Sequence, residues 1–444
     1  MPRPDPARLL AAERLLRVEE EGAFVARLGI DREGAAPEAE RRALALVAGV
    51  SRWRRWLDWS LQQFLRQPFA SLDVELQQAL RIGAFELLIE EKPAHAAVSE
   101  AVDVAQALLH KGAAGLANAV LRKLARARDA GALAEPASGD EALDLATRLS
   151  HPTWLTRRWL DRYGADATRA LLDADNAIPR YSLRANRLST TPEALHDALL
   201  AAGADPERSR WSDDLLTVER LGPAIQGGLL ARGEAAVQDE AASLVVRVLD
   251  PQPGESILDG TAAPGGKAIY AAERMGNQGR VVAVDLHANK TRLIGTAAEA
   301  HGATIVEPLA TNLITWDSAE TYDRVLLDAP CSGTGVLGKR ADMRWRRMPE
   351  DLRDLTDLQD RLLNAAAARV RPGGLLVYST CSLEPEENES RVAAFLDRHP
   401  EFSHEPIGGE VPDAMRTPEG NYAALPHVHG TDGAFAARLR RSQP

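Results

Sequence analysis

Cysteine is nearly absent from this chain of 444 residues, which contains only Cys331 and Cys381. Two cysteines in so long a chain cannot form the disulfide framework of a small secreted scaffold. No Cys/His spacing of the zinc type occurs either, and we therefore expect no metal. Each cysteine follows an apolar run that predicts a strand. A free cysteine is more often a small buried hydrophobic residue than a nucleophile, and both interpretations stay open at this point.

Long apolar runs are also missing from the chain. No window approaches the roughly 18 consecutive apolar residues that a membrane-spanning helix needs. The first residues, MPRPDPARLL, lack the apolar core of a signal peptide. We therefore expect a cytoplasmic protein with no membrane partner, and a monomer.

An excess of positive charge is the third feature that the chain lacks, since its formal net charge is −11. Whole-chain charge would argue against a nucleic-acid partner, but such partners are bound by local patches. One patch runs from Arg148 to Arg187, with eight arginines against four aspartates. Arginine can pair with phosphate and stack on bases, so this stretch predicts a surface that faces RNA. A solvated helix face is the alternative. The interleaved aromatic residues are Trp154, Trp159, Tyr163 and Tyr181.

The length and a hydrophobic content of 45 % predict two to three domains with substantial cores. Up to about residue 130 the pattern is helical throughout, with amphipathic periods over 8–18, 38–59 and 72–89. The segment GALAEPASGD at Gly131–Asp140 predicts a linker. Beyond it, a strand, a helix at 192–202 and a second strand predict a small α/β subdomain.

The C-terminal half alternates apolar strands with helical stretches, and the strands end at Asp259, Asp285, Asp328 and Cys381. This order predicts a doubly wound parallel sheet, in which ligands bind outside the carboxyl ends of the strands. A loop of small residues follows Asp259 and leads into a helix, whose N-terminus favours negative charge. Asp285 lies where a carboxylate would bind ribose hydroxyls, or it caps the next helix. A nicotinamide dehydrogenase and an S-adenosylmethionine methyltransferase would both fit this sheet, although the loop does not spell GxGxxG.

Several phrases carry a more specific resemblance. The segments KPAHAAVSEAVDVA and GLANAVLRKL resemble the helical antitermination domain NusB, and SHPTWLTRRW with LRAN resembles the segment before the catalytic domain of RNA cytosine-C5 methyltransferases. The set AAPGGK, DAPCSGTG and STCSLEPEEN is similar to the signature of that same family, in the bacterial form that acts on 16S ribosomal RNA. The resemblance implies an all-α plus α/β protein. Its parts would be a NusB-like bundle over 1–135, an RNA-binding linker subdomain over 146–234 and a Rossmann-like methyltransferase domain over 235–444.

S-adenosylmethionine is the cofactor that this resemblance implies. The family's third acidic contact, by spacing, falls on Leu309, which cannot accept a hydrogen bond through its side chain. The side-chain carbonyl of Asn312 could replace it. The implied cofactor-binding residues are Thr261, Ala262, Ala263, Pro264, Gly265, Gly266, Lys267, Asp285 and Asp328.

Cytosine carbon 5 is a poor nucleophile, and addition of a thiolate to carbon 6 makes it reactive. The resemblance assigns this attack to Cys381 and assistance of release to Cys331. Asp328 would neutralise charge at N3, and Lys267 or a helix N-terminus would favour the thiolate. The basic stretch at 338–354 would hold RNA backbone, or form a charged, exposed helix start. Two rival functions are a DNA cytosine methyltransferase, with attack by Cys331, and a catalytically silent RNA-binding scaffold.

Overall fold

The computed structural model describes residues 4–21 and 37–443. In these ranges the helices of four or more residues are α1 Pro6–Glu20, α2 Pro37–Gln62, α3 Val74–Leu88, α4 Ala94–Leu108, α5 Lys111–Asp129, α6 Glu141–Arg148, α7 Thr153–Asn176, α8 Pro192–Ala201, α9 Gly222–Gln226, α10 Glu240–Leu249, α11 Gly266–Arg274, α12 Ala288–His301, α13 Met343–Arg346, α14 Asp351–Ala367, α15 Glu389–Arg398 and α16 Pro426–His429. The strands are β1 Tyr181–Ala185, β2 Glu207–Arg208, β3 Leu215–Val218, β4 Ala235–Val237, β5 Ser256–Asp259, β6 Arg280–Asp285, β7 Val306–Ala310, β8 Tyr322–Asp328, β9 Val370–Thr380, β10 Phe402–Glu405, β11 Tyr422–Ala424 and β12 Ala434–Arg441.

The chain forms two compact units. The first contains the described residues up to Ala177 together with Lys339–Arg347, and the second contains Ile178–Gly338 and the described residues from Met348 onward. The subdomain predicted over 146–234 is therefore divided. Within that range, the end of α6 and all of α7 belong to the first unit, whereas β1, β2 and β3 with α8 and α9 belong to the second.

The first unit is a helical bundle, as the periodic patterns predict. The three amphipathic stretches form α1, α2 and α3, each within a few residues of the predicted bounds. On α3 the predicted stripe is buried, and a Cβ atom on Gly83 would lie 2.7 Å from Leu121 and 2.8 Å from Ala101. Only glycine therefore lets α3 approach α4 and α5 so closely. Each buried leucine of such a core contributes about 1.5–3 kcal/mol relative to an exposed one.

The segment Lys339–Arg347 packs inside this helical unit. Arg344 is 1 % exposed, and its guanidinium donates to Ser150 O at 3.0 Å and Asn176 Oδ1 at 2.9 Å. Burial lowers the pKa of Arg344 to about 9, and the charge of Arg52 adds to the decrease. The prediction that the basic stretch at 338–354 holds RNA backbone is therefore wrong for Arg344, because this side chain is committed to acceptors of its own unit.

The arginine-rich stretch from Arg148 to Arg187 is likewise only partly exposed to solvent. Arg184 and Trp159 are 0 % and 1 % exposed, so the predicted RNA-facing surface cannot include them. In the second unit Arg184 forms a buried ion pair with Glu273 and donates to Gln238 Oε1 at 2.7 Å. A charged side chain is buried in this way only when it is paired. Arg157, by contrast, is half-exposed and pairs with Asp140 at 2.7 Å.

The second unit contains two sheets. The small one has the order β2-β3-β1-β4, is antiparallel, and contains the two strands predicted on either side of α8. The large one has the order β10-β12-β9-β8-β5-β6-β7. Strands β5 to β9 are parallel, as predicted, and β12 runs antiparallel to β9.

Helix α10 follows β4 after a gap of two residues. Val237 is the last residue of β4, and α10 begins at Glu240. Asp239 sets this start, because its carboxylate accepts a hydrogen bond from Ala241 N at 2.8 Å and so caps the helix. Helix α10 then covers the large sheet with a buried aliphatic face that includes Leu244, Val246 and Leu249.

Candidate active site

The loop between β5 and α11 carries the small residues of the AAPGGK motif. Gly265 has a φ of 110°, and a Cβ atom there would lie 3.2 Å from the Ile294 side chain. Glycine therefore meets both the backbone and the space requirement of this turn. Helix α11 starts at the next residue, so its free N–H groups lie at the carboxyl end of β5, where they favour an anionic ligand group.

Asp259, the last residue of β5, lies at the same edge of the sheet, although the sequence predicts it only as a strand end. Its side chain is 2 % exposed, and Oδ2 has no hydrogen-bond partner in the described part of the chain. Burial raises the pKa of Asp259 to about 7, against the opposing charge of Lys267 and with a further increase from Asp328. Its place before a glycine-rich loop is the sequence signal that could have identified it.

Asp328 and Lys267 lie together, as the sequence reasoning required. Lys267 Nζ is 2.5 Å from Asp328 Oδ2, and Ser379 Oγ donates to Asp328 Oδ1 at 2.9 Å. Thr261 Oγ1 donates to the backbone oxygen of Asp328 at 2.8 Å. Burial acts to lower the pKa of Lys267, but the negative charges of Asp328, Asp259 and Cys381 outweigh it and raise this pKa. Lys267 is therefore a cation within the electrostatic range of the Cys381 sulfur.

The two cysteines meet at the carboxyl ends of the neighbouring strands β8 and β9. Their Sγ atoms are 3.2 Å apart, with Cys331 buried and Cys381 half-buried. The hydrogen bond with Cys381 and burial raise the pKa of Cys331 well above its usual value, and the charges of Cys381, Glu387 and Asp328 add to this. Cys331 is therefore a protonated thiol at neutral pH, and a thiol is a far weaker nucleophile than a thiolate.

The loops that follow the two cysteines are interlocked. Gly335 N donates to Cys381 O at 2.9 Å, and Gly433 N, in the turn before β12, donates to Gly335 O at 2.7 Å. A Cβ atom on Gly335 would lie 2.8 Å from Cys381 O, so only glycine fits. The turn at Asp432 and Gly433 thus supports the Cys331 loop.

Asp285 ends β6, next to the glycine-rich loop in sheet order. Its Oδ1 accepts a hydrogen bond from His287 N at 3.0 Å, and α12 starts at Ala288 with His287 at the N-cap. The alternative interpretation of Asp285 as the helix cap is therefore wrong. Leu309 lies on the adjacent strand β7 and pairs with Val284 of β6. Asp285 is the next residue of β6, so the position lacking a carboxylate does lie beside it.

The other predicted loop residues are consistent with a site for S-adenosylmethionine. The turn between β5 and α11 contains Thr261, Ala262, Ala263, Pro264 and Gly265, with a cis peptide bond between Ala263 and Pro264, and Gly266 is the first residue of α11. The buried Asp259 Oδ2 lacks a donor, and the cofactor carries an ammonium group that could supply one. Asn312 Oδ1 accepts from Ile314 N at 3.0 Å.

Within residues 4–21 and 37–443, no group of three His, Cys, Asp or Glu side chains could hold a metal ion. No helix in the same ranges is long and apolar enough to cross a bilayer.

Three family models match the chain. The model for the 16S rRNA methyltransferase RsmB/F covers residues 246–440, and that of the NusB family covers residues 5–126. A model for the ferredoxin-like domain of RsmF/B-like methyltransferases covers residues 151–224. The NusB-like bundle and the methyltransferase sheet are thereby confirmed.

Relatives of known name agree over nearly the full length. A probable ribosomal RNA small subunit methyltransferase B from Bacillus subtilis is 34 % identical, over 97 % of this chain and 98 % of its own. A ribosomal RNA small subunit methyltransferase B from Pseudomonas putida is also 34 % identical, over 89 % of this chain and 88 % of its own.

Two solved structures are similar to this fold. The crystal structure of PH0851 is 27 % identical with a TM-score of 0.81, over 99 % of this chain and all of its own. A methyltransferase homologue from Pyrococcus horikoshii is 29 % identical with a TM-score of 0.58, over 69 % of this chain and all of its own. The chain therefore belongs to the RsmB/F family of S-adenosylmethionine-dependent 16S rRNA methyltransferases, with a NusB domain at its N-terminal side.

Proposed function

We propose that this protein methylates carbon 5 of a cytosine in 16S rRNA through a covalent adduct between Cys381 and carbon 6. The observation that carries the proposal is the 3.2 Å approach of the Cys331 and Cys381 sulfurs, beside the ion pair of Lys267 and Asp328. Two strand-end cysteines next to a carboxylate fit a reaction in which one sulfur attacks and the other assists departure.

The first step belongs to Cys381. Its thiolate forms a bond to carbon 6, the displaced electron pair moves into the ring, and N3 takes up a proton from solvent. Asp328, an acceptor held by Lys267 and Ser379, accepts a hydrogen bond from the N3 proton and so stabilises the adduct. S-adenosylmethionine supplies the electrophilic methyl group that carbon 5 takes up.

The second step regenerates the free enzyme. The carbon 5 proton passes to solvent, the electron pair restores the ring double bond, and the bond between carbon 6 and the Cys381 sulfur breaks. N3 then returns its proton to solvent, which leaves neutral 5-methylcytosine and the Cys381 thiolate. Cys331 is a thiol because of its raised pKa, so it can donate a hydrogen bond to the leaving sulfur. Cys331 is also buried whereas Cys381 is half-buried, which disfavours Cys331 as the attacking residue, the role it would have in the DNA methyltransferase alternative.

The target base has to leave any helix before Cys381 can reach its carbon 6. A protein cannot approach that atom inside a stack, so the cytosine must be single-stranded or splayed out. Arg157 and other exposed arginines between 148 and 187 remain candidates for holding the flanking backbone. A catalytically silent scaffold would not require the intact set of Lys267, Asp328 and two cysteines.

Trapping of the adduct tests the proposal. Cys331→Ser and Cys381→Ser are each incubated with S-adenosylmethionine and 16S rRNA from a strain that lacks the enzyme, and are then run on a denaturing gel. We expect a stable protein–RNA complex for Cys331→Ser, because attack occurs and release is slow, and none for Cys381→Ser.

The double variant, Cys331→Ser with Cys381→Ser, controls for adventitious crosslinks. The reverse pattern would assign the attack to Cys331. The carbon 5 proposal would be removed if neither single variant gave a complex and if mapping of the 16S rRNA found no 5-methylcytosine after incubation with the wild type. A rise in the melting temperature of the wild type with S-adenosylmethionine would then show that the cofactor still binds, which a silent scaffold does not require.

A further inference from the structure

Glu387 is a buried acid that the reaction scheme above does not use. It ends the short turn Pro385–Glu387 after the Cys381 loop, and its side chain is fully buried. No cation within the described ranges forms an ion pair with it. Burial of a carboxylate is costly unless hydrogen bonds replace its water, so the donors around Glu387 show what it holds in place.

Those donors come from the loops of both cysteines. Each cysteine is followed by a serine, and the hydroxyls of Ser332 and Ser382 both donate to Glu387 Oε2 at 2.5 Å. Ser332 N donates to the other oxygen, Oε1, at 2.8 Å. One carboxylate group thus connects the chain immediately after Cys331 to the chain immediately after Cys381.

Glu387 is itself fixed from three directions. Gln359 Nε2, on α14, donates to Glu387 Oε1 at 2.9 Å and to Pro330 O at 3.0 Å. Tyr378 OH, on β9, donates to the backbone oxygen of Glu387 at 2.6 Å. The next residue, Asn388, donates to Ser382 O at 2.9 Å. The carboxylate is therefore held by α14 and β9 as well as by the two loops that it joins.

We propose that Glu387 is a positioning residue that sets the distance between the Cys331 and Cys381 sulfurs by clamping Ser332 and Ser382. The proposal rests on the proposed function for its effect on catalysis, but the geometric part does not depend on it. The hydrogen bonds to a charged acceptor are the strong kind, so loss of the charge loosens both loops together.

The charge of Glu387 has a second effect at the same place. It is one of the groups that raise the pKa of Cys331, after the hydrogen bond with Cys381 and burial. Neutralising Glu387 therefore lowers the pKa of the Cys331 thiol. This effect can be separated from the distance between the sulfurs in a profile of thiol coupling rate against pH. The pKa sets the midpoint of that profile, and the distance sets its plateau.

Glu387→Gln is the variant of choice, because it keeps the volume and removes the charge. The two thiols are coupled with diamide, which takes up their two hydrogens and becomes the hydrazine while the sulfurs join. The coupling rate is recorded against pH. We expect the midpoint of the profile to move to lower pH, and the plateau at high pH to fall because the sulfurs no longer meet.

Catalysis and cofactor binding complete the test. We expect kcat for RNA methylation to fall by about a hundredfold, as a displacement near 1 Å at a reacting centre does, with unchanged calorimetric affinity for S-adenosylmethionine. Ser332→Ala combined with Ser382→Ala should reproduce the lower plateau, and adding Glu387→Gln to it should cost little more, since residues acting as a unit are not additive. Glu299→Gln, an exposed acid on α12, is the matched control.

Three results would overturn the proposal. An unchanged plateau and an unchanged kcat in Glu387→Gln would mean that Glu387 contributes only to packing and does not position the two sulfurs. A parallel loss of cofactor affinity would indicate damage to the whole domain, and fully additive losses would mean that Glu387 does not act through the serines. Because diamide coupling involves no RNA, it gives its answer even if the carbon 5 chemistry is disproved by adduct trapping.

Discussion

Lys267 Nζ lies 2.5 Å from Asp328 Oδ2, and this ion pair connects the start of α11 to the end of β8. The two side chains are 18 % and 32 % exposed, so the pair is partly shielded from water. A shielded pair interacts more strongly than one on the surface, where the median contribution is about 0–1 kcal/mol. The loop after β5 and the carboxylate of Asp328 are therefore positioned by each other.

Lys267→Met should reduce kcat for methylation by about a hundredfold or more, the cost of removing one preorganised electrostatic group. The variant leaves Asp328 without its cation and removes the positive charge near Cys381. The measurement is methyl transfer to 16S rRNA under saturating cofactor. A double-mutant cycle with Asp328→Asn should show that the two losses are far from additive. Simple additivity would mean that the two residues act independently.

Asp285→Ala should weaken S-adenosylmethionine binding by about 1.5–3 kcal/mol, the value of hydrogen bonds to a charged group. The physical reason is the loss of a carboxylate at the end of β6, where it can accept from ribose hydroxyls. Calorimetry measures the change, and Asp317→Ala, an exposed acid between β7 and β8, is the control. Equal affinity in the two variants would place Asp285 outside the site.

Cofactor affinity should depend on pH through Asp259, whose pKa burial raises to about 7. Below that pH the free protein carries Asp259 as the neutral acid, whereas the cofactor's ammonium group prefers the carboxylate. Binding therefore releases a proton, and affinity should rise by up to about tenfold per pH unit from about pH 5 to 7, then level off. Calorimetry in buffers of different ionisation enthalpy counts the protons. A slope that persists in Asp259→Asn would mean that another group titrates.

Replacing Arg157 and Arg158 together by alanine should weaken RNA binding and reduce the slope of log affinity against log salt by up to about two units. Arg157 forms only an exposed ion pair, with Asp140, which RNA phosphate can displace. The control pair is Arg208→Ala with Arg232→Ala, which also removes two exposed, ion-paired arginines. Equal slopes for the two double variants would mean that the arginines between 148 and 187 form a solvated helix face and do not contact RNA phosphate.

The sequence predicts the parts of this fold that follow local rules. Amphipathic periods locate α1 to α3, and apolar runs ended by Asp or Cys locate β5, β6, β8 and β9, because burial of one face or of a whole strand leaves a direct pattern. The convergence of Lys267, Asp328 and the two cysteines also follows, since the carboxyl ends of parallel strands meet at one edge.

The remaining features depend on contacts between distant residues. Arg344 donates to Ser150 O across 194 positions, and Arg184 pairs with Glu273 across 89, so no local pattern distinguishes these buried arginines from exposed ones. Asp259 and Glu387 present the same difficulty. A carboxyl group becomes unusual only when the surrounding structure removes its water, which the residue's own neighbours in sequence do not determine.

The segment Lys339–Arg347 determines how this protein can be dissected. It belongs to the helical unit, although the chain before and after it belongs to the other. A single cut near Ala177 would therefore give two incomplete fragments. One would carry Arg344 without its carbonyl acceptors, and the other would contain those carbonyls without their donor, which leaves buried polar groups unsatisfied in both. Separate production of the helical unit requires Lys339–Arg347 to be grafted onto it, by a linker or as an added peptide.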